Sequence, residues 1–199
     1  MVKKSKVSIT KIIGISLIAI GIIVIGGSVA LNVRQYQAER NALQVFRADI
    51  VEDTTAPKAK EEPVKEIKEG DALYVLRIPS IDSENLVREG VGKEILADAL
   101  GHEPDTAYAG QVGNCVIAGH RNYTFGKFFN RLDEVQLGDE LYIDCSEGTY
   151  KYKVTDIKVV EPTQVEILSD TEVEQITLYT CTPIYVATHR LVITAERQQ

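Results

Sequence analysis

Cysteine is scarce in this chain, and an excess of positive charge is absent. Three cysteines occur among 199 residues, without CxxC spacing, so neither a disulfide framework nor a zinc site is indicated. Acidic residues outnumber basic ones by 29 to 22, and the formal net charge is -7. Nucleic-acid-binding surfaces are normally basic, so nucleic acid is not an expected partner. The length suits one catalytic-size domain with additional segments.

A long uncharged run lies near the amino terminus. Residues 12–31 read IIGISLIAIGIIVIGGSVAL, which is long enough for a helix to cross a hydrocarbon layer of roughly 30 Å. The run has no polar face, so it predicts a transmembrane helix. Lysines in residues 1–11 predict a cytoplasmic tail and an extracellular remainder. A cleaved signal peptide is the alternative, although its hydrophobic region is usually about 7 to 15 residues long.

Polar sequence follows in residues 32–71. Apolar residues recur there at helical spacing, namely at Tyr36, Leu43, Phe46 and Ile50. They predict a short amphipathic helix that either packs on the domain or stands free. Residues 49–71 then carry eight acidic and four basic residues with two prolines, which predicts a flexible stalk. The folded domain is expected at residues 72–199.

Short β-prone segments dominate that domain. Clusters of Gly, Pro, Asp and Asn separate LYVLRIP, NCVIAGH, ELYIDC, YKYKVTDIKVV, QITLYTC and HRLVITAE. This pattern predicts a barrel or sandwich that is mostly antiparallel. ILADALGH from Ile95 and FGKFFNRL from Phe125 are predicted to be short connecting helices. A tight turn is expected at residues 137–140.

Position distinguishes one cysteine as a candidate nucleophile. Cys115 and Cys145 belong to apolar runs, where packing explains them, and a disulfide between them is left open. Cys181 ends the run QITLYT and precedes Thr182 and Pro183. The strand ladder must stop there because Pro183 has no N–H to donate. The Cys181 thiol is therefore expected at the end of a strand.

An arginine is expected beside that thiol. An eight-residue connection, Thr182 to His189, follows Cys181, and the apolar run LVITA begins directly after Arg190. Cys181 and Arg190 should then lie at the same end of two neighbouring antiparallel strands. A guanidinium is always charged, so it can stabilise the oxyanion that forms when a thiolate attacks an acyl carbonyl. An ordinary surface arginine is the alternative interpretation.

Three histidines are candidates for proton transfer. His120 closes the apolar run CVIAG at another predicted strand end, and it is the preferred base. His189 directly precedes Arg190, so alternation along a strand predicts that it faces away from the thiol. His102 lies in the turn-like sequence GHEPD, where we expect an exposed loop histidine.

Three sequence elements, taken together, resemble the signature of the sortase family. They are Ala118-Gly119-His120, the TLxTC-type stretch at residues 177–181, and the later Arg190. The resemblance covers residues 73–196 and is strongest to class D. It implies an eight-stranded sortase-type β-barrel with short connecting helices, preceded by an N-terminal transmembrane helix.

The resemblance also implies a membrane-anchored cysteine transpeptidase at a Gram-positive-type cell surface. Cys181 would attack the threonyl carbonyl of an LPxTG-like signal near the carboxyl end of a secreted protein. An amine of a peptidoglycan precursor would then resolve the thioacyl enzyme. His120 would transfer protons, Arg190 would stabilise the oxyanion, and Thr180 would shape the substrate pocket or hold the oxyanion.

Other functions stay open beside that one. Pilin-polymerising sortases usually carry an Asp-Pro-aromatic lid motif, which residues 49–71 lack, and a second membrane helix, which we do not expect here. A secreted cysteine hydrolase would use the same three residues on water, and a non-catalytic binding module would not need Cys181.

No cofactor is predicted. Some relatives bind calcium through acidic loops, and the candidates here would be Glu161, Glu166, Asp170, Glu172 and Glu174. A loop rich in carboxylates is usually only solvated, so we expect no metal.

Overall fold

The computed structural model describes residues 9–55, 66–121 and 127–198. These residues form the helices α1 (Ile9–Thr55) and α2 (Lys93–Asp98) together with eight strands. The strands are β1 (Ala72–Ile78), β2 (Ser83–Glu89), β3 (Leu100–His102), β4 (Gly113–Ala118), β5 (Glu140–Cys145), β6 (Gly148–Val160), β7 (Glu174–Thr182) and β8 (His189–Arg197). Contacts divide the chain into two compact units, Met1–Asn41 and Ala42–Gln199.

Helix α1 contains the predicted transmembrane segment. Its apolar side chains there are exposed, for example Ile18 and Ile22. By length and a mean hydropathy of 2.6, α1 is a candidate membrane span, the single one in the described part of the chain. Residues 1–8 of the predicted cytoplasmic tail lie outside that part.

The predicted amphipathic helix is not a separate element. Helix α1 continues through it to Thr55, because no glycine or proline interrupts residues 28–56 and helix propagation is favourable once begun. The first residues of the predicted stalk are therefore helical, and that part of the stalk prediction is wrong. Residues 56–65 of the stalk lie outside the described residues.

The eight strands close into a barrel in the order β1-β2-β3-β4-β7-β8-β6-β5, which confirms the predicted fold. Most neighbours are antiparallel, but β2 pairs with β3 and β4 pairs with β7 in parallel. All six predicted β segments are strands. Strand β2 was not predicted because SENLVRE is rich in polar residues, and strand β3 was not predicted because LGH was assigned to the helix ILADALGH. That helix prediction is wrong at its end, since α2 stops at Asp98 and the backbone then pairs with β2 and β4.

The predicted helix FGKFFNRL is wrong in its described part, residues 127–132. Phe128 forms an isolated antiparallel β-bridge with Arg121 and has a φ of 50°, Phe129 lies in a turn, and both side chains are buried. A positive φ is incompatible with a right-handed helix. Burial of the two aromatic rings against the barrel core therefore overrides local helix preference. Only Leu132–Glu134 form a short 3-10 turn.

His102 is not an exposed loop residue, as the GHEPD sequence suggested. It lies on β3 and is 1% exposed. Its Nδ1 lies 2.9 Å from Oε2 of Glu89, and its ring stacks on Tyr108 at a centroid distance of 4.8 Å. Strand β3 carries the ring into the interior because it pairs with β2 and β4. The turn begins only after it.

Alternation along the strands fills the barrel interior. The most completely buried side chains include Leu76, Ile78, Ile117, Leu141, Ile143, Tyr152, Ile176, Leu178 and Ile193. Residues two apart on a strand face the same side, so these positions define which face of each strand is internal.

The second unit also includes the end of α1. Leu43 is 6% exposed and packs against Val75 and Leu86, which are paired across β1 and β2. Nη2 of Arg47 lies 2.8 Å from Oε1 of Glu84. Of the two alternatives for the amphipathic segment, packing on the domain is therefore the one observed.

Replacing Leu43 by Ala should destabilise the full chain in detergent micelles by about 2 kcal/mol, because a buried leucine loses its packing. Thermal and urea unfolding, followed by circular dichroism, measure the change. Val45 lies two residues away and is 62% exposed, so Val45→Ala is the matched control with an expected change below about 0.5 kcal/mol. Equal effects of the two substitutions would contradict the packing of Leu43.

Candidate active site

Strands β4, β7 and β8 lie side by side in the barrel; Cys181 is on β7, Arg190 is on β8, and His120 follows the end of β4 by two residues. In the antiparallel pair of β7 and β8, Cys181 is directly opposite Arg190. Residues opposite each other in a sheet project to the same face, so the side chains of Cys181 and Arg190 share one face of the sheet. This is the neighbourhood that the spacing of the two residues predicted.

His120 follows β4, the strand that lies on the opposite side of β7 from β8. Ala118 pairs with Tyr179 in the parallel ladder, and the Gly119 N–H donates to the Tyr179 carbonyl at 3.1 Å. If the same register continued two residues past this pair, His120 would be level with Cys181. The imidazole is exposed.

The candidate nucleophile faces outward from the barrel. Ile176 and Leu178 on β7 belong to the core, so Cys181, at an odd position, projects to the outer face. It is partly exposed, whereas Cys115 and Cys145 are buried, and all three are free thiols. Burial raises the pKa of both Cys115 and Cys145 above the ordinary thiol value. Cys181 is thus the accessible thiol of the three.

Thr180 projects inward, on the side of the sheet opposite Cys181. It is buried, and its hydroxyl donates to the Gly119 carbonyl at 2.7 Å. This bond holds the segment that carries His120 against β7. Thr180 therefore contacts the neighbouring backbone, and its predicted pocket or oxyanion role stays a prediction.

Gly119 allows a close approach at the same point. A Cβ on Gly119 would overlap the ring of Phe129 and come within 2.6 Å of a Leu100 methyl group. Both of these side chains belong to the barrel core. A larger residue would push the chain outward just before His120.

The other two histidines do not join the site. His102 is buried as described above, and Nε2 of His189 lies 3.1 Å from Oε1 of Glu161. Nη1 of Arg190 donates to the His189 carbonyl at 3.1 Å, which restrains the guanidinium near its own backbone. In the described residues, the side chains of His120, Cys181 and Arg190 form no hydrogen bonds with one another. Such bonds often form only when substrate is bound.

Two residues near the site were not predicted. Arg121 directly follows His120, and its side chain bonds to Thr182 and Asp133; its position beside the histidine was the available signal. Glu103 lies just after β3, where its carboxyl interacts with the Tyr179 hydroxyl. No local pattern identifies Glu103, because the contact depends on β3 lying next to β4.

Glu103 is held at an electrostatic cost. Its Oε2 is buried without a hydrogen-bond partner. Burial raises the pKa of the Glu103 carboxyl, although His102 and the Tyr179 hydroxyl act in the opposite direction. Burial likewise raises the pKa of Tyr179 to about 12, with a contribution from Glu103.

Some of the acidic residues considered for calcium have structural partners. Oδ1 of Asp170 accepts hydrogen bonds from the Asn114 and Thr171 N–H groups, and Oε1 of Glu174 accepts one from the Tyr152 hydroxyl. A search of the described residues found no cluster of three His, Cys, Asp or Glu side chains that could hold a metal ion. The expectation of no metal stays a prediction.

Comparison with known proteins gives the family. A family model described as the sortase domain matches residues 76–198. The chain belongs to the sortase family. The resemblance seen in the sequence is thereby confirmed at the family level.

Named relatives include other sortases. Sortase D of Bacillus subtilis is 33% identical over 64% of this chain, and Sortase A of Listeria monocytogenes is 30% identical over 62%. The matched regions span 65% and 55% of those two proteins, which is less than two thirds of either length. The solved structure of a Clostridium perfringens Sortase D5 transpeptidase covers 82% of this sortase chain and 99% of its own, with 28% identity and a TM-score of 0.71.

Replacing Thr180 by Val should lower the free energy of unfolding by about 1 to 3 kcal/mol, because the buried Gly119 carbonyl loses its side-chain donor. Thr180→Ser keeps a hydroxyl and should retain most of the stability. Urea unfolding of the full chain in micelles measures both. Equal losses in Val and Ser variants would show that the hydrogen bond is not responsible.

Replacing Glu103 by Gln should raise the melting temperature near neutral pH. A carboxyl whose folded-state pKa is raised lowers stability at pH values above that pKa, and this cost disappears below the unfolded-state pKa of about 4.3. The gain should therefore shrink as the pH falls towards about 4. Glu134 is the control, because Arg131 lowers its carboxyl pKa, so Glu134→Gln should give no gain at neutral pH. A pH-independent effect of Glu103→Gln would contradict the assigned burial cost.

Proposed function

We propose that this sortase is a membrane-anchored cysteine transpeptidase. It cleaves an LPxTG-like sorting signal after threonine and transfers the cleaved protein to a cell-wall amine. The observation that supports the proposal most directly is the pairing of Cys181 with Arg190 across β7 and β8, together with the parallel pairing of β4 with β7 that ends two residues before His120. The Clostridium perfringens relative described as a transpeptidase adds support at the level of the whole fold.

The first half of the reaction forms a thioester. The Cys181 thiolate attacks the carbonyl carbon of the signal's threonine, and the carbonyl oxygen becomes negatively charged. Arg190, directly across from Cys181, stabilises that oxyanion through charge and hydrogen bonds. When the peptide C–N bond breaks, His120 donates a proton to the leaving amine. The carboxyl-terminal fragment departs, and the protein stays bound to Cys181.

The second half reverses the roles with a new amine. The incoming amine attacks the thioester carbon, and His120 removes its proton. The C–S bond breaks, the Cys181 thiolate is released, and an amide joins the protein to the amine. Water as the acceptor gives hydrolysis instead. The outer face of the barrel serves this chemistry because Cys181 projects there, and the His120 side chain is exposed.

The cellular context follows from α1. An apolar span near the amino terminus, preceded by lysines, would hold the enzyme in the membrane with its barrel outside the cell. Secreted proteins with a carboxyl-terminal signal would reach it there, together with peptidoglycan precursors that carry free amines. The extracellular side is where such substrates and the barrel meet.

The test uses the full chain in detergent micelles with a peptide library of LPxTG-type signals. Each peptide is supplied with and without oligoglycine or a diaminopimelate-containing amine, and products are identified by mass spectrometry. The wild type should form a thioester adduct at Cys181 and ligate the amine. Cys181→Ala should lose all turnover, and Arg190→Lys should reduce kcat on the order of 100-fold because the oxyanion loses the planar donor fork.

Cys145→Ser is the matched control, since Cys145 is a buried thiol whose donor bonds to Glu147 and Gly148 a hydroxyl can keep. It should ligate like the wild type. Cleavage without ligation in the presence of every amine would identify a hydrolase. Absence of any adduct, cleavage or ligation across the library would reject the transpeptidase in favour of a binding module.

A further inference from the structure

Arg121 is a buried charged residue next to the candidate base. Its side chain is 8% exposed, although guanidinium groups are costly to remove from water. Its Nη1 donates to the Thr182 hydroxyl at 2.8 Å, and its Nη2 lies 2.6 Å from Oδ2 of Asp133. Its Nε is buried without a hydrogen-bond partner. The Arg121 guanidinium is therefore buried directly after His120 with one of its N–H groups unpaired.

The hydrogen bond between Arg121 and Thr182 joins the sequence neighbours of the two reacting residues, His120 and Cys181. Arg121 is bonded in sequence to His120, and Thr182 is bonded in sequence to Cys181. The hydrogen bond from Arg121 to Thr182 therefore joins the two strand ends one residue beyond the reacting pair. Asp133, on the 3-10 turn after Arg131, holds the other side of the guanidinium.

A second bond lies one residue before the reacting pair. The Thr180 hydroxyl donates to the Gly119 carbonyl at 2.7 Å. Gly119, His120 and Arg121 thus run beside Thr180, Cys181 and Thr182, with a side-chain bond before and after the central pair. Along β7, Thr180 and Thr182 project to the face opposite Cys181. The two bonds consequently leave the outer face, where substrate must approach, unobstructed.

Backbone pairing alone does not supply this restraint. Strand β4 ends at Ala118, and the parallel ladder with β7 is described only up to the pair of Ala118 with Tyr179. His120 lies two residues beyond that point. Among the described residues, the one backbone bond to β7 past that pair is from the Gly119 N–H to the Tyr179 carbonyl, and the His120 carbonyl accepts from the Phe129 N–H instead. The further links to β7 beside the reacting pair are the two side-chain bonds made by the neighbours of His120 in sequence.

We infer that Arg121 is a positioning residue, which through Thr182 holds the His120 imidazole within proton-transfer reach of the Cys181 thiol. This inference rests on the proposed function for its catalytic consequence. The geometric part, that Arg121 sets the separation of His120 and Cys181, is independent of any substrate. A misplacement of catalytic groups by about 1 Å reduces rates on the order of 10- to 100-fold.

The substrate-independent test measures the alkylation rate of Cys181 by iodoacetamide as a function of pH. The full chain in micelles is used, and peptide mapping measures the label at Cys181 separately from any label at the other two cysteines. Cys115 and Cys145 are buried and should react slowly. His120→Ala defines the pH profile of a thiol without its imidazole. Arg121→Gln and Thr182→Val should both shift the wild-type profile towards that of His120→Ala. Thr182→Val changes no charge, so a shift of its alkylation profile reports a change in the position of His120 relative to Cys181. This variant also tests the inference if Arg121→Gln fails to fold.

The second readout is steady-state kinetics with the sorting-signal peptide. Arg121→Gln and Thr182→Val should lower kcat about 10- to 100-fold with little change in KM, and Thr182→Ser should restore most of the loss. The double variant should be no worse than Arg121→Gln alone, because both substitutions break one interaction. Arg131→Gln is the matched control, because Arg131 also connects two segments through a side-chain bond, to the Ile81 carbonyl at 2.7 Å in the turn between β1 and β2.

An unchanged alkylation profile in folded Thr182→Val would overturn the inference, whatever the enzyme's activity. So would a loss of kcat in Arg131→Gln equal to that in Arg121→Gln, since the effect would then be general stability. If the wild type shows no turnover but the alkylation profiles shift as expected, the proposed function fails while the positioning role holds.

Discussion

The parallel pairing of β4 with β7 is the interaction on which the candidate site depends. Its register is secured by the core: Ile176 and Leu178 on β7 and Ile117 on β4 fill the barrel interior. A slip by one residue would turn these side chains outward and carry Cys181 away from the outer face. The hydrophobic energy that stabilises the barrel therefore also determines which residue His120 faces. The antiparallel partner β8 extends the same register to Arg190.

The site lies where the strand ladders end, and this location has both a benefit and a cost. The benefit is that the Cys181 thiol at this edge is partly exposed. The cost is that the β4–β7 ladder ends at Ala118 and Tyr179, and beyond it side chains of Thr180 and Arg121 supply bonds between the two segments. The replacement is incomplete, since Nε of Arg121 and Oε2 of Glu103 are buried without partners. Costs of this kind are typical of functional sites, where geometry has priority over stability.

The remainder of the chain is consistent with an enzyme acting beside a membrane. Helix α1 contains an apolar segment long enough to span a bilayer, and within the second unit its last turns pack on the β1–β2 face through Leu43. That face belongs to strands distant from β7 in the barrel order. The contacts of Leu43 within this unit are therefore with strands other than β4, β7 and β8. Membership of the sortase family accounts for both the barrel and the sequence elements around it.

Local patterns in the sequence were sufficient for the apolar span, the six longer strands and the pairing of Cys181 with Arg190, because each depends on residues close together along the chain. Alternation and a following proline place Cys181 at a strand end, and spacing brings Arg190 beside it. The tertiary structure alone decided which strands pair in parallel, that β3 buries His102, and that Phe128 and Phe129 join the core instead of a helix. It also decided the contacts of Arg121 and Glu103. These depend on residues far apart in the chain, whose proximity follows from barrel closure and the burial of the shared core.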